Sequence, residues 1–403
     1  MTLTAPDWAT AREAAYRAGA EARLRPAEVA ITDADGTTLA EPLTTLTDLP
    51  AFPTSSVDGF AVRGEGPWRV VGQVLAGGVP EPLRPGTAVE IATGAMVPDG
   101  IDELIRVEHS EHPRPGYVTG EPRPTRDWRV PGEEATKGEE LLPAGTPVTP
   151  GVVGLAASCG YDTLLVHPKP ISAVLVFGDE LATEGPPGDG RVRDSLGPSM
   201  PAWLRRLGTA PARDLSPLGP VQDTLEAHIE AIRTAVESAD IVCTTGGTMH
   251  GPVDHLHPAL EALNAEYVVN TVKVRPGFPM LLARVTTSGN TTWIAGLPGN
   301  PQSAVVALVS LVAPLIAGLT GREPPGTSRV TLGAEIKGRG DDTHLSLVRI
   351  DNDRATPLKH HGSSMLRGVA QADGFAVIPP GRSGGAGDRV ALVPLPLKVG
   401  ERP

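Results

Sequence analysis

The chain has 403 residues, 40% of them hydrophobic, and a formal net charge of -12 at pH 7. This length predicts two to four domains, with enough apolar side chains to bury their cores. The acidic balance argues against a sequence-independent grip on nucleic acid, which depends on Lys and Arg meeting phosphates. The two cysteines, Cys159 and Cys243, fit neither a disulfide framework nor a four-ligand zinc site, so we expect a reducing cytoplasm.

The N-terminal residues 1–25 mix acids, bases and alanines at helical spacing and lack the apolar region of a signal peptide. The most apolar stretch, Ala304 to Gly318, contains Pro314 and is shorter than the roughly 20 residues that span a bilayer. We therefore expect a core helix there, no membrane partner and no export.

The first 170 residues predict a helix, short strands and an inserted β-rich module. Residues 8–24 have the periodicity of an amphipathic helix, and residues 29–46 predict a hairpin around the turn Asp33 to Gly36. From Pro50 to about Glu140, short β-branched runs are broken by Gly and Pro, as in a small all-β module. We expect a discontinuous N-terminal helix and hairpin domain, residues 1–48 and 141–170, interrupted by an inserted β-rich domain, residues 49–140.

Strands, loops and helices alternate along the central part of the chain. Ile171 to Phe177 is apolar enough to be a parallel strand buried on both faces. The alternation predicts a doubly wound α/β domain over residues 171–326, with a mostly parallel sheet that binds ligands at the carboxyl ends of its strands. Beyond Pro324-Pro325-Gly326, short strands predict a small C-terminal β domain, residues 327–403, which we expect to be barrel-like.

One loop of the central domain follows the predicted strand 239–245 and contains Gly246, Gly247 and Thr248, with Asp254 a turn later. The glycines let backbone N–H groups approach a phosphate, and the carboxylate suits a hydrated metal ion. A tight strand-to-helix turn is the alternative for this loop.

Two further loops follow predicted strands. In the loop Gly296 to Ser303, Asn300 is placed to cap a helix, and the N-terminus of that helix favours an anion. Helix capping alone is the alternative, but it does not explain Pro298-Gly299. In Gly178 to Leu181, Glu180 is suited to a metal or a sugar hydroxyl, and an exposed acidic turn is the alternative.

Other chemistry has weaker support. The spacing of His250, His255 and His257 does not place them together as a zinc set. The sequence contains neither a Gly-x-Ser-x-Gly elbow nor a P-loop motif, which argues against serine hydrolase and P-loop chemistry.

Taken in order, the loops resemble the motifs of the molybdopterin molybdenumtransferase family, which includes MoeA and the gephyrin E-domain. The ordered set extends over nearly the whole chain and is more specific than any single motif. The matching segments are Ser56-Val-Asp-Gly-Phe-Ala-Val62, Ile91-Ala-Thr-Gly-Ala95 with Pro98-Asp-Gly100 and Asp102, Arg129-Val-Pro-Gly-Glu-Glu134, Gly178-Asp-Glu-Leu181, Thr245-Gly-Gly247 with Gly251 and Asp254, Arg275-Pro-Gly277 with Pro279, Leu297-Pro-Gly-Asn-Pro301 and Gly362-Ser363.

The resemblance implies an elongated four-domain homodimer whose central α/β domain is like that of the MogA adenylyltransferases. It implies a role in molybdenum cofactor biosynthesis: molybdate and adenylylated molybdopterin would give molybdenum cofactor and AMP, helped by a divalent cation, for which we expect Mg²⁺. The pterin substrate and other proteins of cofactor biosynthesis are the expected partners.

The resemblance also implies roles for individual residues. It makes Glu180 and Asp254 the metal ligands. The side chains carried over as catalytic are Asp58, Glu134, Glu180, Asp254 and Arg275. The residues expected to bind substrate are Gly246, Gly247, Thr248, Gly251, Lys273, Pro298, Gly299, Asn300, Ser303 and Ser363.

Several family side chains are replaced in this sequence. Met249 stands at a usual Ser and Pro252 at an acidic residue; Phe278 replaces a cation of Lys-Pro-Gly-Lys-Pro, whereas Arg275 keeps its charge. A family lysine falls on Thr271, and Lys273 is the expected substitute. Further departures are Gln222, Leu196 and Glu134. They keep open a diverged pterin-binding or carrier protein without metal insertion; a protein-contact scaffold, as in the gephyrin E-domain, has no specific support.

Overall fold

The structure is a computed structural model that describes residues 2–212, 218–249, 254–287 and 289–396. By its internal contacts the chain divides into two compact units. One unit contains Met1–Ala27, Gly36–Ala40 and Val166–Pro403, and the other contains Glu28–Asp35 and Glu41–Leu165. The finer division into four domains stays a prediction.

The described helices are Trp8–Glu21 (α1), Pro150–Cys159 (α2), Met200–Leu207 (α3), Leu225–Val236 (α4), Leu256–Ala262 (α5), Pro301–Ala307 (α6), Ala313–Leu319 (α7) and Leu366–Val369 (α8), with a π-helical segment, Leu308–Val312, between α6 and α7 and two 3₁₀ turns, Ile31–Asp33 and Val107–His109.

The strands before residue 170 are Leu3–Thr4 (β1), Ala27–Ala30 (β2), Thr38–Leu39 (β3), Leu43–Thr44 (β4), Thr54–Ser55 (β5), Gly59–Arg63 (β6), Trp68–Val74 (β7), Thr87–Ile91 (β8), Glu103–Arg106 (β9), Ser110–Glu111 (β10), Tyr117–Gly120 (β11), Trp128–Arg129 (β12), Glu140–Leu142 (β13) and Thr163–His167 (β14). The later strands are Ile171–Phe177 (β15), Leu181–Ala182 (β16), Val192–Arg193 (β17), Ala210–Pro211 (β18), Leu218–Val221 (β19), Ile241–Thr245 (β20), Glu266–Asn270 (β21), Val274–Arg275 (β22), Leu281–Thr287 (β23), Asn290–Leu297 (β24), Ser328–Leu332 (β25), Thr343–Asp351 (β26), Arg354–Pro357 (β27), Gly374–Ile378 (β28) and Arg389–Pro394 (β29).

The predicted N-terminal hairpin is wrong in its pairing. Strands β2 and β3 do not pair with each other, because β14 lies between them in a three-stranded sheet. Strand β14 follows more than a hundred residues later and was not predicted. Local turn signals around Gly36 cannot reveal a partner so distant in sequence.

The inserted β-rich module is built around a six-stranded sheet with the order β10-β11-β7-β8-β6-β9. Successive side chains of a strand point to opposite faces of the sheet. Alternate residues of these strands therefore belong to two separate apolar clusters. Ala61 and Ile91 belong to one cluster, and Phe60 and Ile105 to the other. The predicted β character of this region is therefore confirmed.

The central domain contains a sheet with the order β1-β21-β23-β24-β20-β15-β18, and β19 also pairs with β15. Pairs β15–β20 and β20–β24 are parallel, whereas β21–β23 and β23–β24 are antiparallel. Helices cover both faces: α1, α3, α6 and α7 pack in one apolar cluster, and α4 and α5 in the other. This is the expected doubly wound α/β domain.

The continuous helix Pro301–Leu319 is long and apolar enough to cross a membrane, but it is entirely buried in the protein. It is thus a core helix, as predicted. Pro314 has no N–H to donate, and the π-helical segment ends two residues before it, at Val312. Arg12 of α1 donates to the carbonyl of Val309 within the segment, and the indole of Trp8 donates to the hydroxyl of Ser310.

The C-terminal domain is a closed barrel. Its strands follow the order β26-β27-β25-β29-β28, and an additional pairing of β28 with β26 completes the ring. Strand β22 of the central part pairs in parallel with β26, with Arg275 opposite His344. This pairing connects the loop that carries Arg275 directly to the barrel.

Candidate functional site

The three loops that the sequence selected lie side by side at one edge of the central sheet. Strands β15, β20 and β24 are parallel neighbours, with Val176 opposite Thr245 and Thr245 opposite Leu297. Their carboxyl ends therefore coincide. Strand β15 has β18 and β19 on one side and β20 on the other. The order of strands therefore reverses at β15, and open α/β sheets bind ligands at such a switch point.

The loop after β20 needs glycine at two positions because of its backbone conformation. Gly246 and Gly247 have φ angles of 90° and 66°, in the left-handed region that side chains disfavour. The N–H of Gly246 donates to the carbonyl of Leu297 over 3.0 Å, which joins this loop to the end of β24. Thr248 is buried beside it. Gly251, expected to bind substrate, lies outside the described residues, as do His250 and Pro252.

In the acidic loop after β15, the carboxylate of Glu180 lies close to the backbone of Gly178. Gly178 has a φ angle of 139°, and a Cβ atom there would lie 2.7 Å from Oε2 of Glu180. Asp179 and Asp223 hold the loop to the start of α4 reciprocally: each backbone N–H donates to the other's carboxylate, over 3.1 and 3.3 Å. A side chain at position 178 would therefore displace the carboxylate of Glu180 from this position.

These loops enclose a cavity of about 770 Å³, the first cavity. This volume lies within the range of about 300–1000 Å³ typical of small-molecule sites. The expected site residues that line it are Glu180, Gly246, Gly247, Thr248, Asp254, Pro298, Gly299 and Asn300.

Behind the first cavity, the imidazole of His228 is fully buried against the ring of Phe177, with 3.8 Å between ring centroids. Its Nε2 lies 3.6 Å from Oδ1 of Asp223, too far for a good hydrogen bond, and neither ring nitrogen has a hydrogen-bond partner among the described residues. Burial lowers the pKa of His228, against the opposing attraction of Asp223. The ring is therefore held neutral at pH 7.

A second cavity of about 710 Å³ adjoins the first, and the two share Met249, Pro279, Pro298 and Asn300 as lining. Its cationic side chains are Arg275 and Arg339. The Nε of Arg275 lies 2.7 Å from Oδ2 of Asp342, and its guanidinium stands 5.1 Å from the centre of the Phe278 ring.

The backbone N–H groups at the start of α6 do not have the partners that the sequence predicts. Asn300 occupies the N-cap position, but its side chain makes no capping hydrogen bond within the described chain. Instead the backbone N–H of Gln302 donates to the carbonyl of Ser363 over 2.9 Å. The N–H of Gln302 is one of the donors that we expected to bind an anion, and a carbonyl of the C-terminal domain accepts from it instead. Ser363 and Ser303 both line the second cavity.

Three carboxylates line the first cavity: Glu180, Asp194 and Asp254. Asp194 accepts from the backbone N–H groups of Leu196 and Gly197, and Glu180 and Asp254 are the two acids expected to bind a divalent cation. No group of three or more side chains placed to hold a metal ion occurs among the described residues. This donor set fits Mg²⁺, which usually binds one or two carboxylates and completes its shell with water and substrate phosphates. It does not fit an all-protein cage of the zinc or calcium type.

The remaining expected acids belong to the unit that contains the β-rich module. Asp58 accepts hydrogen bonds from the backbone N–H and the hydroxyl of Thr93, over 2.7 and 3.0 Å, and these lower the pKa of its exposed carboxyl group. Glu134, also exposed, pairs with Arg129 over 3.0 Å. Both acids are ordered by a neighbouring donor and keep their carboxylates at the surface of that unit.

Three family models match successive parts of the chain. They are the MoeA N-terminal region (domain I and II) over residues 9–160, the probable molybdopterin binding domain over residues 173–318, and the MoeA C-terminal region (domain IV) over residues 329–395.

The molybdopterin molybdenumtransferase of Bacillus subtilis is 31% identical over 390 residues, which cover 91% of this chain and 89% of the relative. The chain belongs to the molybdopterin molybdenumtransferase family. The enzyme of the same name from Nostoc is 30% identical over 386 residues, 90% of this chain and 87% of the relative.

Solved structures of this family share the whole architecture. A MoeA crystal structure from Pyrococcus horikoshii is 26% identical, has a TM-score of 0.75, and covers 97% of this chain and 99% of that one. A second structure, at 21% identity and a TM-score of 0.73, supports the same fold. The predicted family and fold class are confirmed.

Three residues that depart from the usual molybdenumtransferase pattern lie in the cavity walls. Met249 is 56% exposed and lines both cavities, Leu196 lines the first, and Phe278 lines the second. Lys273, the expected substitute for the lysine replaced by Thr271, lines neither cavity; its backbone N–H donates to Pro6 and its carbonyl accepts from Thr343. Arg275 is thus the family cation that remains at this wall.

Four polar residues of the second cavity were not predicted: Arg339, Asp342, His344 and His361 of the C-terminal domain. Burial lowers the pKa of His344, whose Nδ1 lies 2.8 Å from the carbonyl of Lys337. The signal available in the sequence was the charged turn Arg339 to Asp342 directly before a long apolar strand. Nothing local connects that turn to Arg275, since the connection is the pairing of β22 with β26.

Proposed function

We propose that this protein transfers molybdate into adenylylated molybdopterin and releases AMP, with the help of a divalent cation. The observation that carries the proposal is the pair of adjoining cavities. The first offers backbone donors beside three carboxylates, and the second presents two arginines. A phosphorylated pterin and an oxyanion need these two environments in contact.

In the first cavity, Gly246, Gly247 and Thr248 would bind a phosphate of the pterin through backbone N–H groups and a hydroxyl. Glu180 and Asp254 would hold the divalent cation. When bound, the cation would supply charge neutralisation at the phosphoanhydride that is cleaved. The buried walls beneath these loops exclude water, which strengthens each electrostatic contact with the substrate.

In the second cavity, Arg275 and Arg339 would bind molybdate. A guanidinium offers several N–H donors in a fixed plane, which suits a tetrahedral oxyanion. The hydroxyl groups of Ser303 and Ser363 line the same cavity and supply neutral donors. Because Pro298 and Asn300 line both cavities, molybdate bound there would lie next to the pterin.

Asp58 and Glu134 complete the proposal as acidic residues of a homodimer whose subunits meet at the active site, in a cytoplasmic protein of cofactor biosynthesis. The donors that order both carboxylates, Thr93 and Arg129, support a role that needs fixed ionised groups.

A second candidate, a pterin carrier without turnover, is favoured by Met249 and Phe278 at positions where the family has polar or cationic side chains. The test measures binding and turnover on the same preparation. Calorimetry with adenylylated molybdopterin should show binding, and chromatography should show AMP after molybdate and Mg²⁺ are added. Binding without AMP indicates the carrier, and absence of binding contradicts both candidates.

A further inference from the structure

A third cavity, of about 320 Å³, lies away from the two cavities described above. Its walls come from α1, the end of α3, the helix from the π segment to α7, the segment after α7, and the end of β29 with the two residues that follow. We call it the arginine cavity, because three arginines line it. Its lining residues are Arg12, Arg206, Leu207, Val309, Ala313, Ala317, Arg322, Glu323, Pro325, Gly326, Val393, Pro394, Leu395 and Pro396.

Two of the three guanidinium groups are held in place by neutral oxygens. Arg12 donates to the carbonyls of Val309 and Pro325, and its guanidinium stands 4.8 Å from the centre of the Trp8 ring. Arg322 donates to the hydroxyl of Thr320 and to the carbonyl of Leu207. Neutral oxygens of the protein therefore orient both guanidinium groups.

Neither Arg12 nor Arg322 forms an ion pair with a carboxylate among the residues that the structure describes. Glu323 also lines the cavity, but it lies beyond ion-pair distance of both. Burial lowers the pKa of Arg12 to about 10, so the group is still charged at pH 7. A half-buried charge without a counterion is unfavourable unless a charged partner offsets its loss of hydration.

Apart from the three arginines and Glu323, the wall is apolar. Aliphatic side chains and prolines of α7 and of the segment after β29 surround the arginines, and the volume lies at the lower end of the roughly 300–1000 Å³ typical of ligand sites. A space of this size suits a small ligand. The combination of cationic heads and an apolar wall selects a ligand with an anionic head and an apolar body.

We propose that the arginine cavity is a binding site for a small organic anion, a carboxylate or a phosphate on an apolar chain, recognised by Arg12 and Arg322. The site is independent of the molybdate and pterin cavities. Its ligand would contact both the central helices and the last strand of the C-terminal barrel, so binding should raise the melting temperature of the full-length protein.

The test is calorimetry on the full-length protein with four probes: octanoate, octyl phosphate, octylammonium and inorganic phosphate. Octanoate or octyl phosphate should bind, octylammonium should not, and inorganic phosphate should bind at least tenfold more weakly because it has no apolar body. Tighter binding of octanoate identifies a carboxylate site, and tighter binding of octyl phosphate identifies a phosphate site.

Variants separate this site from general surface binding. Arg322→Met should weaken the preferred probe about tenfold or more, the range expected for a lost charged hydrogen bond. Ala313→Phe should block the cavity while keeping all three arginines. Arg205→Met, on the same helix as Arg206 but outside the lining, is the matched control and should bind as the wild type does.

The proposal is overturned if no probe binds at millimolar concentration, if octylammonium binds as tightly as octanoate, or if neither Arg322→Met nor Ala313→Phe weakens binding while their melting temperatures show folded protein. The readout does not depend on AMP release, so it is independent of the proposed transferase activity.

Discussion

The guanidinium of Arg275 and the carboxylate of Asp342 form an ion pair of 2.7 Å in the wall of the second cavity. Arg275 belongs to β22 of the central part, and Asp342 to the turn before β26 of the barrel. The pair therefore places a negative charge beside the arginine that we propose for molybdate.

This relationship predicts opposite effects of two substitutions on the KM for molybdate. Arg275→Met should raise it about tenfold or more, since a hydrogen bond to a charged group contributes roughly 1.5–3 kcal/mol. Asp342→Asn should lower it several-fold, because the competing carboxylate is removed. Neither should change the melting temperature much, because Arg275 is about half exposed and ion pairs at the surface contribute about 0–1 kcal/mol.

Steady-state AMP release at varied molybdate measures both effects. Arg284→Met, which removes an exposed arginine paired with Glu266 outside both cavities, is the control and should leave the KM unchanged. A higher KM in Asp342→Asn would mean that the carboxylate positions Arg275 rather than competing with molybdate.

Gly178 tests the role of Glu180 without changing its charge. A methyl group at Gly178 would meet Oε2 of Glu180 at 2.7 Å and displace the carboxylate. Gly178→Ala should therefore raise the Mg²⁺ concentration that gives half-maximal AMP release, as Glu180→Gln should. Gly185→Ala is the matched control: its φ angle is also positive, at 72°, but nothing lies within 4 Å of the added methyl. Equal Mg²⁺ dependence in all three variants would argue against Glu180 as a ligand.

The sequence predicts the central site well where the signals are local. The buried strand Ile171–Phe177 and the loops that follow β15, β20 and β24 are found where the pattern places them. These three strands are parallel neighbours, so the loops at their carboxyl ends lie together at one edge of the sheet. Antiparallel strands β21 and β23 were missed, since their polar and apolar residues give no clear boundary signal.

Contacts between distant segments account for most of the remaining differences. The partner of β2 and β3 is a strand more than 120 residues away, and the donor expected for an anion at the start of α6 is taken by the carbonyl of Ser363. Arg339 joins the second cavity only because the barrel pairs with β22. No periodicity in the sequence encodes such pairings.

His228 predicts a pH dependence of stability. Its folded-state pKa is lowered from 6.5, so the unfolded chain takes up a proton in a pH range where the folded protein does not. Stability is fully present above pH 6.5 and is lost progressively as the pH falls towards the folded-state pKa. His228→Leu removes this loss, so its melting temperature relative to wild type should be higher at pH 5 than at pH 8. A pH-independent difference would show that His228 is not held neutral.

The crossing of α1 and α7 predicts a strong effect of one methyl group. A Cβ atom at Gly318 would lie 2.3 Å from the carbonyl oxygen of Tyr16, so Gly318→Ala must separate the two helices. We expect destabilisation of about 1–3 kcal/mol or more, seen as a lower melting temperature by calorimetry. Gly154→Ala in α2 is the control, because its methyl meets nothing within 4 Å; it should be neutral or stabilising by about 0.5–1 kcal/mol.

The most direct test of the proposed activity is molybdate-dependent AMP release. Purified protein given adenylylated molybdopterin, molybdate and Mg²⁺ should release AMP, and Asp254→Ala should release it at least tenfold more slowly. Glu184→Ala, which removes an exposed carboxylate outside both cavities, should match the wild type. Release that is as fast in Asp254→Ala as in the wild type, or that does not respond to molybdate, would contradict the proposed site and reaction.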